Sequence, residues 1–112
     1  NYPLDQARID LMFKQGQGKE AEVALNEMLK NRPHDPDVWY QVAEARGLAG
    51  NIIGLHQARA EFFALVGDYD QALSQLDLAK RRASSNFPLA SRIDARQLEL
   101  MEEKRAIDKM LR

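Results

Sequence analysis

The sequence predicts an all-α fold, a right-handed superhelical solenoid of antiparallel helix pairs with about six helices, and three observations carry that prediction. Chain breakers recur at an even spacing of 17, at Gly16, Pro33, Gly50 and Gly67, and Ser84 continues the series inside Ser84-Ser85-Asn86. The segments between breakers run for about 14 residues with helical periodicity, the length of a three-to-four-turn helix. No segment alternates β-branched and aromatic residues as a strand does, and threonine is absent altogether. A pair of helices this short cannot bury its apolar stripe alone, so successive pairs must stack.

Taken in order, each segment supports the helical reading. Residues 4–15 place Leu4, Ala7, Leu11 and Met12 on one side, with Asp5, Arg8 and Lys14 toward water. Residues 19–31 carry Ala21, Ala24, Leu25, Met28 and Leu29 at helical spacing, and Pro33 stops them. Residues 36–49 open on Asp35-Pro36, a cap followed by proline at the first helical position, where a missing N–H costs nothing. Trp39, Val42, Ala43 and Ala49 form their apolar side. Residues 52–66 carry Ile52, Leu55, Ala58, Phe62 and Leu65 before Gly67. Asp68 caps the next helix, with the stripe Tyr69, Ala72, Leu73, Leu76 and Ala79. The sixth segment, from about Pro88 to Leu111, is longer and more charged; Leu89, Ile93, Leu100, Ile107 and Leu111 are expected to dock, leaving Glu102, Glu103, Lys104 and Arg105 in water.

Composition narrows the function. With 112 residues there is room for one compact unit or a short repeat array. Apolar residues at 45% and charged residues at 29% are those of a chain that buries a core, not of a disordered one. A net charge of −1 argues against dedicated nucleic-acid binding, which needs a basic surface to neutralise phosphates. The absence of cysteine removes disulfides, thiolate metal sites and thiol nucleophiles. No apolar run approaches the roughly 20 residues of a bilayer span, and Asn1-Tyr2-Pro3-Leu4-Asp5-Gln6 has neither the positive nor the apolar region of a signal peptide.

No catalytic motif is present. A zinc peptidase needs two histidines one helical turn apart with a glutamate between them as general base, whereas His34 and His56 stand 22 residues apart. They read as ordinary surface residues of a turn and a helix, and no metal is expected. Ser74, Ser84, Ser85 and Ser91 lack a nucleophile-elbow setting and a paired histidine. Gly16-Gln17-Gly18-Lys19 lacks the spacing of a phosphate loop and reads as an interhelical turn. The carboxylate pairs Glu20 with Glu22 and Glu102 with Glu103 lie on different helix faces or in a solvated run.

Gly67-Asp68-Tyr69-Asp70-Gln71-Ala72-Leu73, with Leu76 and Ala79 following, resembles the second helix of a tetratricopeptide repeat, and Ala60 and Phe63 stand where its first helix has a small residue and an aromatic. Ala21, Leu25 and Pro33 match the second half of a repeat, and Trp39, Val42 and Ala43 the first half of the next. Small residues at these crossings let helix axes approach to about 8–10 Å. The match breaks phase. Counting from Gly16 makes Gly50 the turn within a repeat, whereas the Gly67 motif claims that role 17 residues later. The helix at 52–66 is then the second of one pair and the first of another. Over its whole length, including Arg46-Gly47-Leu48-Ala49-Gly50-Asn51, Gly54-Leu55-His56-Gln57-Ala58-Arg59-Ala60-Glu61 and Lys80-Arg81-Arg82-Ala83-Ser84, the chain resembles the C-terminal repeat domain of periplasmic zinc metallopeptidases of the β-barrel assembly-enhancing type.

That resemblance implies a periplasmic location, a separate zinc peptidase domain preceding the repeats, and repeats that engage outer-membrane protein assembly intermediates or the assembly machinery. It implies that residues 1–85 form the repeats and 86–112 a capping helix. It also places Phe13 and Tyr40 in the groove lined by first helices, with Asp10, Lys14 and Glu44 as a polar rim, and Trp39 in the core. Charge is uneven: residues 1–79 carry 7 basic and 12 acidic groups, and residues 80–112 carry 9 and 5. Lys80, Arg81, Arg82, Arg92 and Arg96 are therefore a candidate basic patch, able to steer an acidic partner or a lipid headgroup or simply to keep the last repeat soluble. The expected role is protein binding without catalysis; a self-associating scaffold is the alternative.

Overall fold

The computed structural model describes residues 2–112 and contains six helices: α1 Tyr2–Lys14, α2 Gly18–Asn31, α3 Pro36–Leu48, α4 Ile52–Leu65, α5 Tyr69–Arg82 and α6 Phe87–Met110. Among the described residues there is no strand. Connections of three or four residues force each helix to run antiparallel to the one before. The result is a slab 44 × 36 × 19 Å, a helical solenoid two layers deep.

The evenly spaced breakers turn out to be of two kinds. Gly16, Gly50 and Gly67 all lie in the left-handed region, with φ of 72°, 82° and 84°. In each turn the next residue donates its N–H five residues back, from Gln17 to Met12, Asn51 to Arg46 and Asp68 to Phe63, each at 2.8 Å. That bond needs a φ that costs glycine alone nothing. The connections at Pro33 and Ser84 contain no positive φ. They end instead in side-chain caps: Asp35 accepts from the Asp37 N–H at 2.9 Å and Asn86 from the Leu89 N–H at 3.2 Å. Asn51 and Asp68 cap α4 and α5 in the same way. The glycine turn thus joins α1 to α2, α3 to α4, and also α4 to α5.

That third glycine turn is the break in repeat phase, and packing records it. One core comprises Ile9, Ala21, Ala24, Leu25, Met28, Val38, Val42, Ala43, Ala45 and Ala58; the other comprises Ala60, Ala72, Leu76, Ala79, Ala83, Ile93 and Leu100. They meet at α4. Ala58 and Ala60 are two residues apart, about 200° around a helix, so α4 sends opposite faces into the two cores. A helix shared in this way needs apolar residues on more than one face, and Ile52–Leu65 carries them on several, between the polar His56, Gln57, Arg59 and Glu61.

Side-chain bonds also join α1 to α3 and α4 to α6, in each case helices two apart in the chain. Two expectations are corrected here. On α1 the buried anchor is Ile9, while Leu4 and Leu11 stand 69% and 53% exposed and Ala7 faces water, because only the opposite face meets α2 and α3. On α6, Ile93 and Leu100 are buried, but Ile107 is exposed and Leu111 is 81% exposed. The last turns of a 24-residue helix overrun a 14-residue neighbour and have nothing to dock on.

Candidate functional site

Two surfaces follow from the two joints. At the first, α1 and α3 are fastened by a reciprocal amide pair: Gln6 Nε2 donates to Gln41 Oε1 at 2.7 Å, and Gln41 Nε2 donates back to Gln6 Oε1 at 3.1 Å. Gln6 Nε2 also donates to Asp10 Oδ1 at 2.9 Å. Beside this seam Tyr40 is 54% exposed, its ring held edge-on against Phe62 of α4 at 5.5 Å between centroids. Phe62 meets Phe63 at 5.3 Å, so three rings run from the surface toward the second core. Edge-to-face geometry holds such rings in a fixed orientation. Asp10, Lys14 and Glu44 are exposed, whereas Phe13 is half-buried against the first core. Gln6 and Gln41 escaped the sequence reading because a glutamine on an amphipathic helix reads as solvent-facing, and Phe62 reads there only as part of the apolar stripe of α4.

At the second joint, α4 and α6 are held by an ion pair. Arg96 donates from Nε to Glu61 Oε2 at 2.9 Å and from Nη2 to Oε1 at 2.8 Å, a two-pronged match of guanidinium to carboxylate. Glu99 stands 3.7 Å from Nη1. The hydrogen bonds that Arg96 donates to Glu61 hold its guanidinium above its ordinary value against partial burial, with the charges of Glu61, Glu103 and Glu99 adding to the effect. Next to this pair is a cavity of about 260 Å³ lined by Pro33, His34, Trp39, Glu61, Ala64, Leu65, Tyr69, Arg96 and Glu103. The indole of Trp39 is half-buried and donates from Nε1 to the Pro33 carbonyl at 2.9 Å, which fixes the ring at the cavity edge. Trp39 therefore packs against the first core and lines a cavity as well.

The expected basic patch is not five free charges. Lys80 Nζ donates to Asp94 at 2.9 Å and to Gln97 at 3.2 Å, and Arg96 is held by Glu61. Arg81, Arg82 and Arg92 are the exposed members. The buried amide of Gln97 is satisfied between Lys80 and Asp77, as a polar group at that depth must be. His34 is exposed in its turn, while His56 is half-buried with Nδ1 2.8 Å from Gln75 Oε1 of α5, so it is an interhelix contact and not a surface residue. Among the described residues no three His, Cys, Asp or Glu side chains group as a metal site, and the two histidines do not fit the zinc of a peptidase. No helix among those residues is long and apolar enough to cross a membrane.

Residues 3–45 match the tetratricopeptide repeat family. With the stacked antiparallel pairs and glycine turns, that match makes the architecture tetratricopeptide-like, and the tetratricopeptide repeat is a non-catalytic fold for protein–protein interaction. Among curated proteins, the β-barrel assembly-enhancing protease of Escherichia coli strain K12 is 35% identical over 91 residues, covering 80% of this chain and 19% of that protein. The proteins of the same name from Shigella flexneri and Escherichia coli O157:H7 match to the same extent. The chain spans about a fifth of the length of these relatives.

Proposed function

We propose that this chain is the part of a longer periplasmic protein that brings outer-membrane β-barrel assembly intermediates, or the machinery that assembles them, to an associated zinc metalloprotease domain. The likeness to β-barrel assembly-enhancing proteases supports the choice of partner. The observation that carries the mode of binding is Tyr40, a large aromatic held exposed and in fixed orientation by Phe62 beside the Gln6–Gln41 seam. A preoriented ring loses little entropy on docking, and aromatic anchors ringed by polar groups are where interface energy concentrates. Asp10, Lys14 and Glu44 supply that rim and set register, and Phe13 supports it from below. Residues 1–85 present this surface, and 86–112 cover its end.

An in-cell crosslinking scan of the parent protein tests the proposal, with a photoreactive residue placed singly at Phe13, Tyr40, Glu44 and Arg81, and at Glu27 on α2 as the control on the other side. Crosslinks to outer-membrane assembly proteins from Tyr40 and Glu44 but not from Glu27 are expected. Crosslinks only between copies of the chain would establish a self-associating scaffold instead, and equal yields at Glu27 would place the binding face elsewhere.

A further inference from the structure

The phase break makes a second recessed surface beside the α4–α6 seam. In a regular array the first helices of successive repeats lie side by side; here the glycine turn after α4 makes α4 the first helix of a pair with α5, and α6 takes the place of the next first helix. The Glu61–Arg96 contact joins residues 35 apart in the chain, and so does Gln6–Gln41. The two seams are the same joint made twice, and each has an aromatic beside it.

The cavity at the second seam has a definite chemistry. Trp39 and Tyr69 supply aromatic surface, and Ala64 and Leu65 an apolar wall. Glu61, Glu103 and the neighbouring Glu99 set three carboxylates around the one guanidinium of Arg96. Glu61 is bonded to Arg96, whereas Glu103 is exposed at the cavity mouth. An aromatic recess with a surplus of negative charge attracts a cation whose stem is apolar, which describes lysine and arginine side chains. It repels a carboxylate.

We infer that the cavity between α4 and α6, walled by Trp39, Tyr69, Leu65 and Glu103, receives a lysine or arginine side chain from a basic segment of a protein partner. The array then has two separate binding surfaces and holds two segments at once, Tyr40 anchoring one and the Trp39 cavity the other. This inference stands on residues the first groove does not use, so either can fail alone.

Trp39 is the only tryptophan of the chain, so its fluorescence reports the cavity directly. The probe is the capped pentapeptide acetyl-Ala-Arg-Ala-Lys-Ala-amide, with a control in which citrulline and Nε-acetyllysine replace the two charged residues. A saturable change in Trp39 emission below about 5 mM is expected for the charged peptide and not for the control. Glu103→Gln should weaken it by about threefold or more with helicity unchanged, and Tyr40→Ala should leave it intact. No saturable change, an equal response to the uncharged peptide, or binding indifferent to Glu103→Gln would each overturn the inference. Self-association abolished by Glu103→Gln would overturn it too, by assigning the cavity to a second copy.

Discussion

Two joints in this molecule do the same work with different chemistry. The first, between α1 and α3, is a pair of neutral amides that satisfy one another; the second, between α4 and α6, is a two-pronged ion pair. The amide pair costs little to desolvate and is indifferent to salt. The ion pair is stronger bond for bond, yet salt screens it and removal of one partner strands a half-buried charge. The comparison teaches that a helical array needs some polar clasp between helices two apart in the chain, while the choice of clasp sets the electrostatics of the groove beside it. The amide seam leaves its groove nearly neutral and dependent on Tyr40, whereas the ion-pair seam leaves a surplus of carboxylates.

The sharpest way to break the comparison is to ask whether the halves are separate cores. Leu25→Ala and Leu76→Ala remove fully buried side chains from the first and second core, and each should cost about 3 kcal/mol in urea unfolding. The double variant should lose the sum; a departure beyond about 0.5 kcal/mol would show that α4 couples the cores. Next comes the crossing of α2 and α3, where a methyl on Gly18 would stand 2.7 Å from the Ala45 carbonyl oxygen and 2.8 Å from the Ala49 nitrogen. Because those atoms are backbone and cannot turn aside, Gly18→Ala should cost about 2 kcal/mol. Gly67→Ala meets nothing in space but must hold φ at 84°, and should cost about 1 kcal/mol.

Smaller effects separate the clasps themselves. Glu61→Gln should cost about 1 kcal/mol at low salt and less in molar salt, whereas Gln41→Ala should cost about 0.5 kcal/mol at either. Equal salt dependence would refute the distinction between the seams. Smallest is the contact of Lys104 with Asp70, 2.7 Å long and exposed. Its hydrogen bond to Asp70, then the attraction of that charge, hold the ammonium above its ordinary value. A raised folded value stabilises fully below the unfolded value and is lost as pH rises through the folded one. Stability should therefore be slightly lower in Asp70→Asn than in the parent at neutral pH, and the difference should shrink as pH rises through and beyond the ordinary lysine range.

Legibility differs between helices for a physical reason. On α2 and α5, Ala21, Ala24, Leu25, Met28, Ala72, Leu76 and Ala79 were read as a stripe and are buried, because each of these helices hides one face. On α1 the periodicity pointed to Leu4, Ala7 and Leu11, and the fold chose Ile9, since a short helix with apolar residues on two faces leaves the choice to its neighbours. The shared role of α4 was legible from the conflict between Gly50 and Gly67. The cavity is not legible because Trp39 reads as packing alone, and the conflict of phase marks α4 as a first helix while α6 reads only as a cap.

Local chemistry is what the sequence determined by itself. Glycines at 16, 50 and 67, caps at Asp35, Asn51, Asp68 and Asn86, and apolar repeats at helical spacing act over a few residues, so six helices and their turns follow from reading along the chain. Only the tertiary structure decided which faces meet. Gln6 finds Gln41, and Glu61 finds Arg96, at a separation of 35 residues, where the partner depends on how α4 distributes its two faces between two cores. Bonds that close over such distances are set by the stacking of whole helices, and no local pattern encodes them.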